Sequence, residues 1–340
     1  MENNSLDKKI LGALSVRSIV RFAIAVVPFA AISWLYFYPN DVNGDVLQQS
    51  DVMQGVDDGQ EILDYANKTG EISRWTDALF GGMPTFQIRP TYSSTPLISW
   101  VGNVYSLEFP SPVSWIFIMM LGFFILMLSF KVKWYLAILG GIAYGFSSYF
   151  FILIGAGHIW KLLTLAYIPP TIAGIVWCYR GKYLGGAALA ALFAALQLMS
   201  NHVQMTYYSL FIIAGLVIAF LVAAIKDKQT KRWCIATCSL AVAAVLAVAA
   251  NAPSLYMSYK YSKETIRGGH SELSAGKATA SNGGLDKEYI TQWSYGKGET
   301  FTLMVPNVKG GASIKPEKGS NMPLTLAETS KAKQMAENGD

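Results

Sequence analysis

Charged residues, cysteines and histidines are all scarce in this 340-residue chain. Charged residues make up 14% of it and hydrophobic residues 52%, which is too apolar a balance for an ordinary soluble domain. The three cysteines, Cys178, Cys234 and Cys238, provide no disulfide framework, and no cysteine or histidine spacing suggests zinc. No phosphate-binding loop or dinucleotide fingerprint is present, and the net charge of +5 indicates no nucleic-acid partner. An integral membrane protein is the class that remains.

Seven apolar runs are long enough to cross a bilayer, whose core of about 30 Å takes roughly 20 helical residues. They predict an all-α polytopic membrane protein with about seven transmembrane helices. In the fourth run, Pro169 and Pro170 predict a break or kink that frees carbonyls needing other partners. The runs are residues 19–38, 113–130, 134–154, 159–178, 183–199, 203–225 and 233–256.

Lysine and arginine occupy every second connection between these runs. They precede the first run, and they recur at residues 131–133, 180–182 and 226–232. Cytoplasmic loops are enriched in these residues, so we expect a multi-pass protein of the inner (cytoplasmic) membrane with a cytoplasmic N-terminus. The expected order is a tail over residues 1–18, a retained first helix over 19–38, a large non-cytoplasmic loop over 39–112, helices two to seven over 113–256, and a non-cytoplasmic segment over 257–340 that reads as truncated.

The large loop is acidic, with ten Asp and Glu residues against three Lys and Arg. Two interpretations stay open: a solvated loop, or the place where a membrane enzyme keeps its base. Residues 51–66 predict an amphipathic helix lying along the membrane surface. Residues 75–84 predict a tight turn at Gly81 and Gly82, either purely structural or part of a pocket. Beyond the last run, residues 289–295 and 301–305 have strand character, which predicts a partly β C-terminal segment.

Two histidines and a lysine lie at the ends of apolar runs on the side of the acidic loop. His158 and Lys161 open the fourth run three residues apart, on one helical face. His202 opens the sixth and is expected to lie beside them under the loop. Such costly groups usually line a cavity or meet an anion, and helix N-termini favour phosphate. The alternative is that Lys161 snorkels to the interface while both histidines cap helix ends.

Four motifs follow one another along the chain: Asp51 within Leu-Gln-Gln-Ser-Asp-Val-Met-Gln, Trp75-Thr-Asp77 with Phe80-Gly-Gly-Met-Pro84, Gly157-His158 to Lys161 with Pro169-Pro170, and Asn201-His202-Val-Gln204 to Tyr208. Their order resembles the bacterial YfhO-type membrane protein family. The resemblance covers nearly the whole chain, which would correspond to the first half of a family member. Residues 285–295, Leu-Asp-Lys-Glu-Tyr to Trp-Ser-Tyr, are similar to the Bacteroidetes branch.

The resemblance implies a GT-C-like glycosyltransferase architecture with a large first non-cytoplasmic loop. Such enzymes take the sugar from a polyprenyl-phosphate sugar, which would be the co-substrate here, and invert the anomeric centre on transfer. The acceptor would be a cell-envelope lipid or polymer. Asp51 is then the candidate base, with Asp45, Asp57 and Asp58 as alternatives. No cofactor is required, and whether the acidic loop binds a divalent ion stays open. The implied groups for the donor phosphate are His158, Lys161 and His202, and those for the substrate pocket are Gln54, Trp75, Asp77, Gln204 and Tyr208.

Two other functions remain as alternatives. A transporter or flippase of a lipid-linked substrate would show inverted repeats and charges near the bilayer midplane, and neither is clear in the sequence. A noncatalytic envelope assembly protein would use the loops as docking surfaces. In that case the loss of Asp51 would leave function largely intact.

Overall fold

A computed structural model describes residues 16–45, 47, 49–90, 92, 95–263, 265, 291, 294, 296–305 and 308. Of residues 16–19 and 39–43 only the backbone is described. In this part of the chain the fold is mostly helical with little strand, as expected of an all-α membrane protein. The helices are α1 Val16–Asn43, α2 Ser50–Asp58, α3 Gln60–Thr69, α4 Thr95–Tyr105, α5 Val113–Ser129, α6 Trp134–Gly145, α7 Ser148–Ala156, α8 Ile159–Tyr179, α9 Tyr183–Met199, α10 Val203–Lys226, α11 Thr230–Ala250 and α12 Ala252–Ser262.

Four helices are long and apolar enough to cross a membrane: α1, α8, α10 and α11. The bent pair α6 and α7 makes a fifth if it is one span. Helices α5 and α9 are apolar but have 17 residues each, close to the shortest helix that spans a bilayer core. The membrane character predicted from the sequence is therefore supported by four to five spans.

The predicted third span is two helices, which meet at an angle of 42°. Ser147 has extended backbone angles (φ −63°, ψ 133°) and starts α7, while Phe146 ends α6. Just before the break, a Cβ on Gly145 would lie 2.5 Å from the side chain of Met120 on α5. The single helix predicted over residues 134–154 is therefore interrupted. The interruption lies where the chain packs closely on α5 and where Ser147 is extended.

Helix α8 runs unbroken through Pro169 and Pro170, so of the predicted break or kink the break is wrong and the kink stays a prediction. The expectation about freed carbonyls is confirmed. Proline at 169 has no N–H to donate to Leu165 four residues earlier, and the Tyr144 hydroxyl of α6 donates to that carbonyl at 3.2 Å. The neighbouring Ala166 carbonyl faces Gly122 of α5, where a Cβ would lie 2.8 Å away.

Helices α8 and α9 approach through two glycines. A Cβ on Gly174 would lie 2.5 Å from the Ala190 backbone nitrogen, and one on Gly186 would lie 2.5 Å from that of Cys178. Small residues allow such backbone-to-backbone packing in membrane bundles. This contact joins α8, with the candidate residues at its N-terminus, to the rest of the bundle.

The large loop is folded rather than extended. The predicted amphipathic helix is two helices, α2 and α3, which meet at Gly59, and Ile62 is buried while Val52, Val56 and Tyr65 are exposed. A two-stranded hairpin follows, β1 Trp75–Thr76 and β2 Met83–Pro84, paired Trp75 to Pro84.

Helix α4 lies within the predicted loop but packs on the bundle, an element that the sequence analysis missed. The Tyr105 ring lies 4.8 Å from the ring of Phe193 on α9. A Cβ on Gly102 would lie 3.3 Å from Leu196 of α9 and 3.6 Å from the Tyr167 hydroxyl of α8. With 11 residues, α4 is too short to cross a bilayer core, which takes roughly 20 helical residues.

The strand predicted at residues 301–305 is wrong, because Glu299–Leu303 is a 3₁₀ helix. The Glu299 carboxylate accepts a hydrogen bond from the Gly296 N–H at 2.8 Å, and this local turn bonding competes with strand formation. The 3₁₀ helix lies against α7. Outside the described residues lie the tail over residues 1–15 and most of the strand predicted at 289–295.

Candidate functional site

The N-terminus of α2 docks on the turn between α7 and α8. The Gln49 side chain is buried and donates a hydrogen bond to the Ile154 carbonyl at the end of α7. Gly157 has φ +83°, and a Cβ there would lie 3.2 Å from Gln49 Cβ, Val52 Cγ2 and Val52 N. Two features therefore favour glycine at position 157: its positive φ and the closeness of α2.

This docking places Asp51 beside His158. Oδ2 of Asp51 lies 2.9 Å from Nε2 of His158, and the two side chains are 50% and 48% exposed. His158 stands at the N-cap position of α8, yet its side chain makes no capping hydrogen bond. The alternative that this histidine serves as a helix cap therefore does not describe the structure, which brings the candidate base and a candidate phosphate ligand together.

Lys161 and His202 complete the cluster. Lys161 is half-buried, one turn along α8 from His158, with Nζ 5.3 Å from the centroid of the Tyr149 ring. Burial lowers the pKa of His202, and the positive charges of Lys161 and His158 lower it further. Within the described part of the chain, Nδ1 of His202 is buried and has no hydrogen-bond partner. His202 also makes no side-chain cap bond at the start of α10.

The cluster therefore contains one carboxylate and three basic groups at one end of the bundle. An anion beside His202 would offset the repulsion from Lys161 and offer an oxygen to the unsatisfied imidazole nitrogen. Phosphate carries both the charge and the acceptor oxygens for this. Since the Asp51–His158 pair is half exposed, a ligand from outside can reach it.

Exchanging Gly157 for alanine tests the docking of α2. We expect Gly157→Ala to loosen α2, because the new Cβ would crowd Gln49 and Val52, and to speed hydrogen exchange of the α2 amides at least several-fold. Hydrogen exchange with mass spectrometry measures this directly. Gly70→Ala is the matched control, since Gly70 also has positive φ (+75°) but nothing lies within 4 Å of its added Cβ. Equal acceleration in both variants would mean that backbone strain alone is at work.

The other loop carboxylates lie differently from Asp51. Asp45 and Asp57 are exposed and Asp58 is half-buried, and in the described residues none of the three forms an ion pair. Gln54 follows Asp51 by three residues on α2, which places both on one helical face. Among the four candidate carboxylates, Asp51 is thus the one that contacts a histidine in the described residues.

Gln204 and Tyr208 project from the first turns of α10, directly after His202. The Gln204 side-chain amide donates to the Tyr208 hydroxyl at 2.7 Å, and both residues are exposed. They form a polar face next to the cluster. Their position is compatible with contact to a bound substrate.

Trp75 and Asp77 belong to the hairpin instead. Trp75 Nε1 donates to Asp77 at 3.0 Å, and a Cβ on Gly82 would lie 2.7 Å from the Trp75 ring. In the part of the chain that the structure describes, no hydrogen bond or ion pair links Trp75 or Asp77 to Asp51, His158, Lys161 or His202. The predicted pocket residues therefore separate into a group near the cluster and a hairpin group.

Glu61 holds the hairpin together, a role that sequence reasoning missed. Its carboxylate accepts hydrogen bonds from the Thr76 hydroxyl and from the N–H groups of Asp77 and Ala78, the latter at 3.1 and 3.2 Å. Gln49 was missed as well. The turn motif at residues 75–84 could be recognised in the sequence. No local sequence pattern indicated that Glu61 is its hydrogen-bond partner.

The described residues contain no group of three or more His, Cys, Asp or Glu side chains arranged to hold a metal ion. The Asp51–His158 pair by itself offers two ligands, fewer than a protein metal site normally uses.

The chain was also compared with known proteins. No protein-family model, no curated protein and no solved structure matches it.

Proposed function

We propose that this protein is an inverting membrane glycosyltransferase, which moves a sugar from a polyprenyl-phosphate donor to a hydroxyl of a cell-envelope lipid or polymer. The observation that carries the proposal is the Asp51–His158 contact of 2.9 Å beside Lys161 and His202. A carboxylate and three basic side chains meet at one end of an apolar bundle. In the proposal the carboxylate is the base, and Lys161 and His202 bind the phosphate of the lipid-linked donor. The YfhO-type resemblance supports the same assignment.

In the proposed reaction the Asp51 carboxylate takes the proton from the acceptor hydroxyl. The acceptor oxygen bonds to the anomeric carbon from the face opposite the phosphate, and the bond from that carbon to the phosphate oxygen breaks. General base catalysis of this kind contributes roughly 10²- to 10⁴-fold. His158, paired with Asp51, orients the carboxylate.

The leaving polyprenyl phosphate gains negative charge as the bond breaks. Lys161 and His202 are placed to stabilise that charge, as preorganised cations do in other transfer reactions. The N-termini of α8 and α10 lie at the same place and add their partial positive charge. Gln54 lies three residues after Asp51, and Gln204 and Tyr208 lie two and six residues after His202; in the proposal these groups contact the sugar.

The transmembrane arrangement belongs to the same proposal. Counting α5, α9 and the bent pair with the four clear spans gives seven crossings in a GT-C-like bundle. Three basic turns, at Lys131, Arg180 and Arg232, surround one cavity, whereas Asp51, His158 and His202 meet at the other ends of the same helices. With the basic turns cytoplasmic, the reaction takes place on the non-cytoplasmic face of the inner membrane.

Sugar transfer in proteoliposomes tests the proposal. The purified full chain is supplied with polyprenyl-phosphate sugars and a mixture of envelope lipids and glycopolymers, and labelled product is measured. Transfer above protein-free vesicles supports a transferase. Movement of the donor between leaflets without any transfer supports the flippase alternative instead, and neither activity supports an assembly role.

The flippase alternative has one observation in its favour. The α6–α7 pair is a span broken by 42°, and interrupted helices are common at transporter binding sites. Against it, the cationic side chains described above lie at the ends of helices rather than near their middle.

Donor binding is expected to depend on pH through His202. Burial, Lys161 and His158 lower its pKa, so the free imidazole is neutral at pH 7.5, while a bound phosphate favours the protonated form. Binding therefore takes up a proton, and affinity rises as the pH falls from 8 towards 6, by at most about tenfold per pH unit.

Measuring the donor dissociation constant at several pH values checks this expectation. His202→Gln should flatten the profile. His158→Gln, which also removes an imidazole and leaves Asp51 unpaired, is the matched comparison. An unchanged pH slope in His202→Gln would assign the proton uptake to another group.

A further inference from the structure

A cavity lies at the end of the bundle opposite the candidate site. Its volume is about 350 Å³, and it is a half-open cavity lined by residues at the turns α5–α6, α8–α9 and α10–α11. This volume lies within the range of small-ligand sites, roughly 300–1,000 Å³. The three turns are distant in sequence, so the cavity forms only when the helices pack together.

Three basic side chains line the cavity: Lys131, Arg180 and Arg232. The Arg180 guanidinium donates to the Ser129 carbonyl and lies 5.9 Å from the centre of the Phe130 ring, which fixes its position. Arg232 donates to Gln229 at 3.1 Å. In the described part of the chain the side-chain ammonium of Lys131 has no hydrogen-bond or ion-pair partner. One carboxylate, Asp227, also lines the cavity, and it pairs with none of the three cations among the described residues.

The apolar wall of the cavity is made of stacked aromatic rings. The rings of Tyr179 and Phe220 stack with centroids 4.8 Å apart at 15°, and Trp233 lies 6.3 Å from Tyr179 at 26°. The polar groups of Tyr179 and Trp233 already have hydrogen-bond partners. The Tyr179 hydroxyl shares a hydrogen bond with the Thr237 hydroxyl at 3.0 Å, and Trp233 Nε1 donates to the Val217 carbonyl at 3.2 Å. The wall therefore offers ring faces rather than hydrogen bonds. The cations remain the groups that can bind a polar ligand.

The surroundings indicate a ligand that also has hydrocarbon chains. Val222 and Ile225 on α10 and Ile235 on α11 lie next to the cavity and are 46%, 59% and 41% exposed. Only 6% of the apolar stretch of α10 and 17% of that of α11 is buried within the protein. Acyl chains would cover these faces while a headgroup occupies the cavity, and basic pockets between helix ends bind anionic lipid headgroups in this way.

We infer that this cavity binds the phosphate-bearing headgroup of an anionic phospholipid, in the leaflet on the side of the basic turns. The phosphate lies among Lys131, Arg180 and Arg232, and the glycerol and upper acyl chains lie on the aromatic wall and along α10 and α11. The site is separate from the Asp51 cluster and does not depend on the proposed glycosyl transfer.

Native mass spectrometry of the full chain in detergent tests the inference. The probes are dioleoyl phosphatidylglycerol, the zwitterionic dioleoyl phosphatidylcholine, and soluble glycerol 3-phosphate. We expect one phosphatidylglycerol to stay bound, with weaker binding of the other two. Equal retention of phosphatidylcholine would overturn the inference, and glycerol 3-phosphate binding as tightly as the lipid would identify a soluble-anion site instead.

The variants locate the binding. Lys131→Gln with Arg232→Gln should weaken phosphatidylglycerol binding on the order of thirtyfold, since each basic residue near an anionic lipid strengthens binding roughly fivefold. Lys226→Gln with Lys231→Gln removes the same charge at the α10–α11 turn from positions that do not line the cavity, and it should change little. Equal losses in both pairs would show that only diffuse surface charge attracts the lipid.

Charge-conserving exchange guards against misfolding. Lys131→Arg with Arg232→Lys should keep wild-type affinity. Lys131→Gln alone, on an exposed turn, carries the test if the double glutamine variant does not fold, and an unchanged affinity in that variant would exclude the cavity.

Discussion

Asp51→Asn is expected to lower sugar transfer by about 10²- to 10⁴-fold while donor binding persists. Asparagine keeps the size of the side chain and a hydrogen-bonding oxygen, but it cannot accept the acceptor proton. The donor contacts assigned to Lys161 and His202 are left in place. The turnover number should therefore fall while the donor dissociation constant stays near the wild-type value, as measured by initial rates and by equilibrium binding in proteoliposomes.

Asp57→Asn and Asp45→Asn are the controls for this change. Both remove one exposed loop carboxylate that forms no ion pair in the described residues, so the net charge of the loop changes equally. Transfer should stay near wild type in each. If Asp51→Asn were fully active and one of the other variants were not, the base would lie at that other position. If all three were active, a noncatalytic role of the loop would gain support.

Gly186→Val is expected to destabilise the bundle by about 3 kcal/mol or more. The added side chain would meet the Cys178 nitrogen at 2.5 Å and the Gly174 carbonyl at 2.6 Å, and these are backbone atoms on a packed helix. Overpacking of a close-packed interior typically costs 1–3 kcal/mol, and here no flexible side chain can move aside. Thermal unfolding in detergent, followed by circular dichroism, measures the loss.

Gly185→Val is the matched control, one residue earlier on the same helix. Nothing lies within 4 Å of a Cβ at Gly185, so this exchange inserts the same side chain facing open space. Its unfolding temperature should stay close to wild type. Similar destabilisation in both variants would point to the loss of glycine flexibility in α9 rather than to contact with α8.

Helical class and the grouping of polar residues could be predicted from the sequence, because apolar runs and flanking charges are local signals. His158 and Lys161 share a helix face by spacing alone, and Asp51 came from the family resemblance. The structure confirms that the carbonyl opposite Pro169 finds a partner, the Tyr144 hydroxyl. The contact between Asp51 and His158 was not predicted and is known only from the structure.

The remaining features depend on contacts between distant segments. The break at Ser147 follows from packing against α5, and α4 is recognisable as part of the bundle only once Gly102 is seen against α9. Gln49 anchors α2 through a carbonyl 105 residues away, and Glu61 organises a hairpin that begins 14 positions later. Periodicity and motif spacing carry no information on such pairs.

Helix α8 has basic residues at both ends, Lys161 near its start and Arg180 directly after it, and most of its length is packed inside the protein. Its 21 residues span about 31 Å at 1.5 Å per residue, the thickness of an average hydrocarbon core. Since α8 is enclosed by its neighbours, it cannot tilt on its own within the bundle. In a thinner or thicker bilayer the hydrophobic mismatch falls instead on the outward-facing helices α10 and α11, which are only 6% and 17% buried, at a fraction of a kcal/mol per Å. Either the whole bundle then tilts as one unit, or the lipid around α10 and α11 changes its thickness.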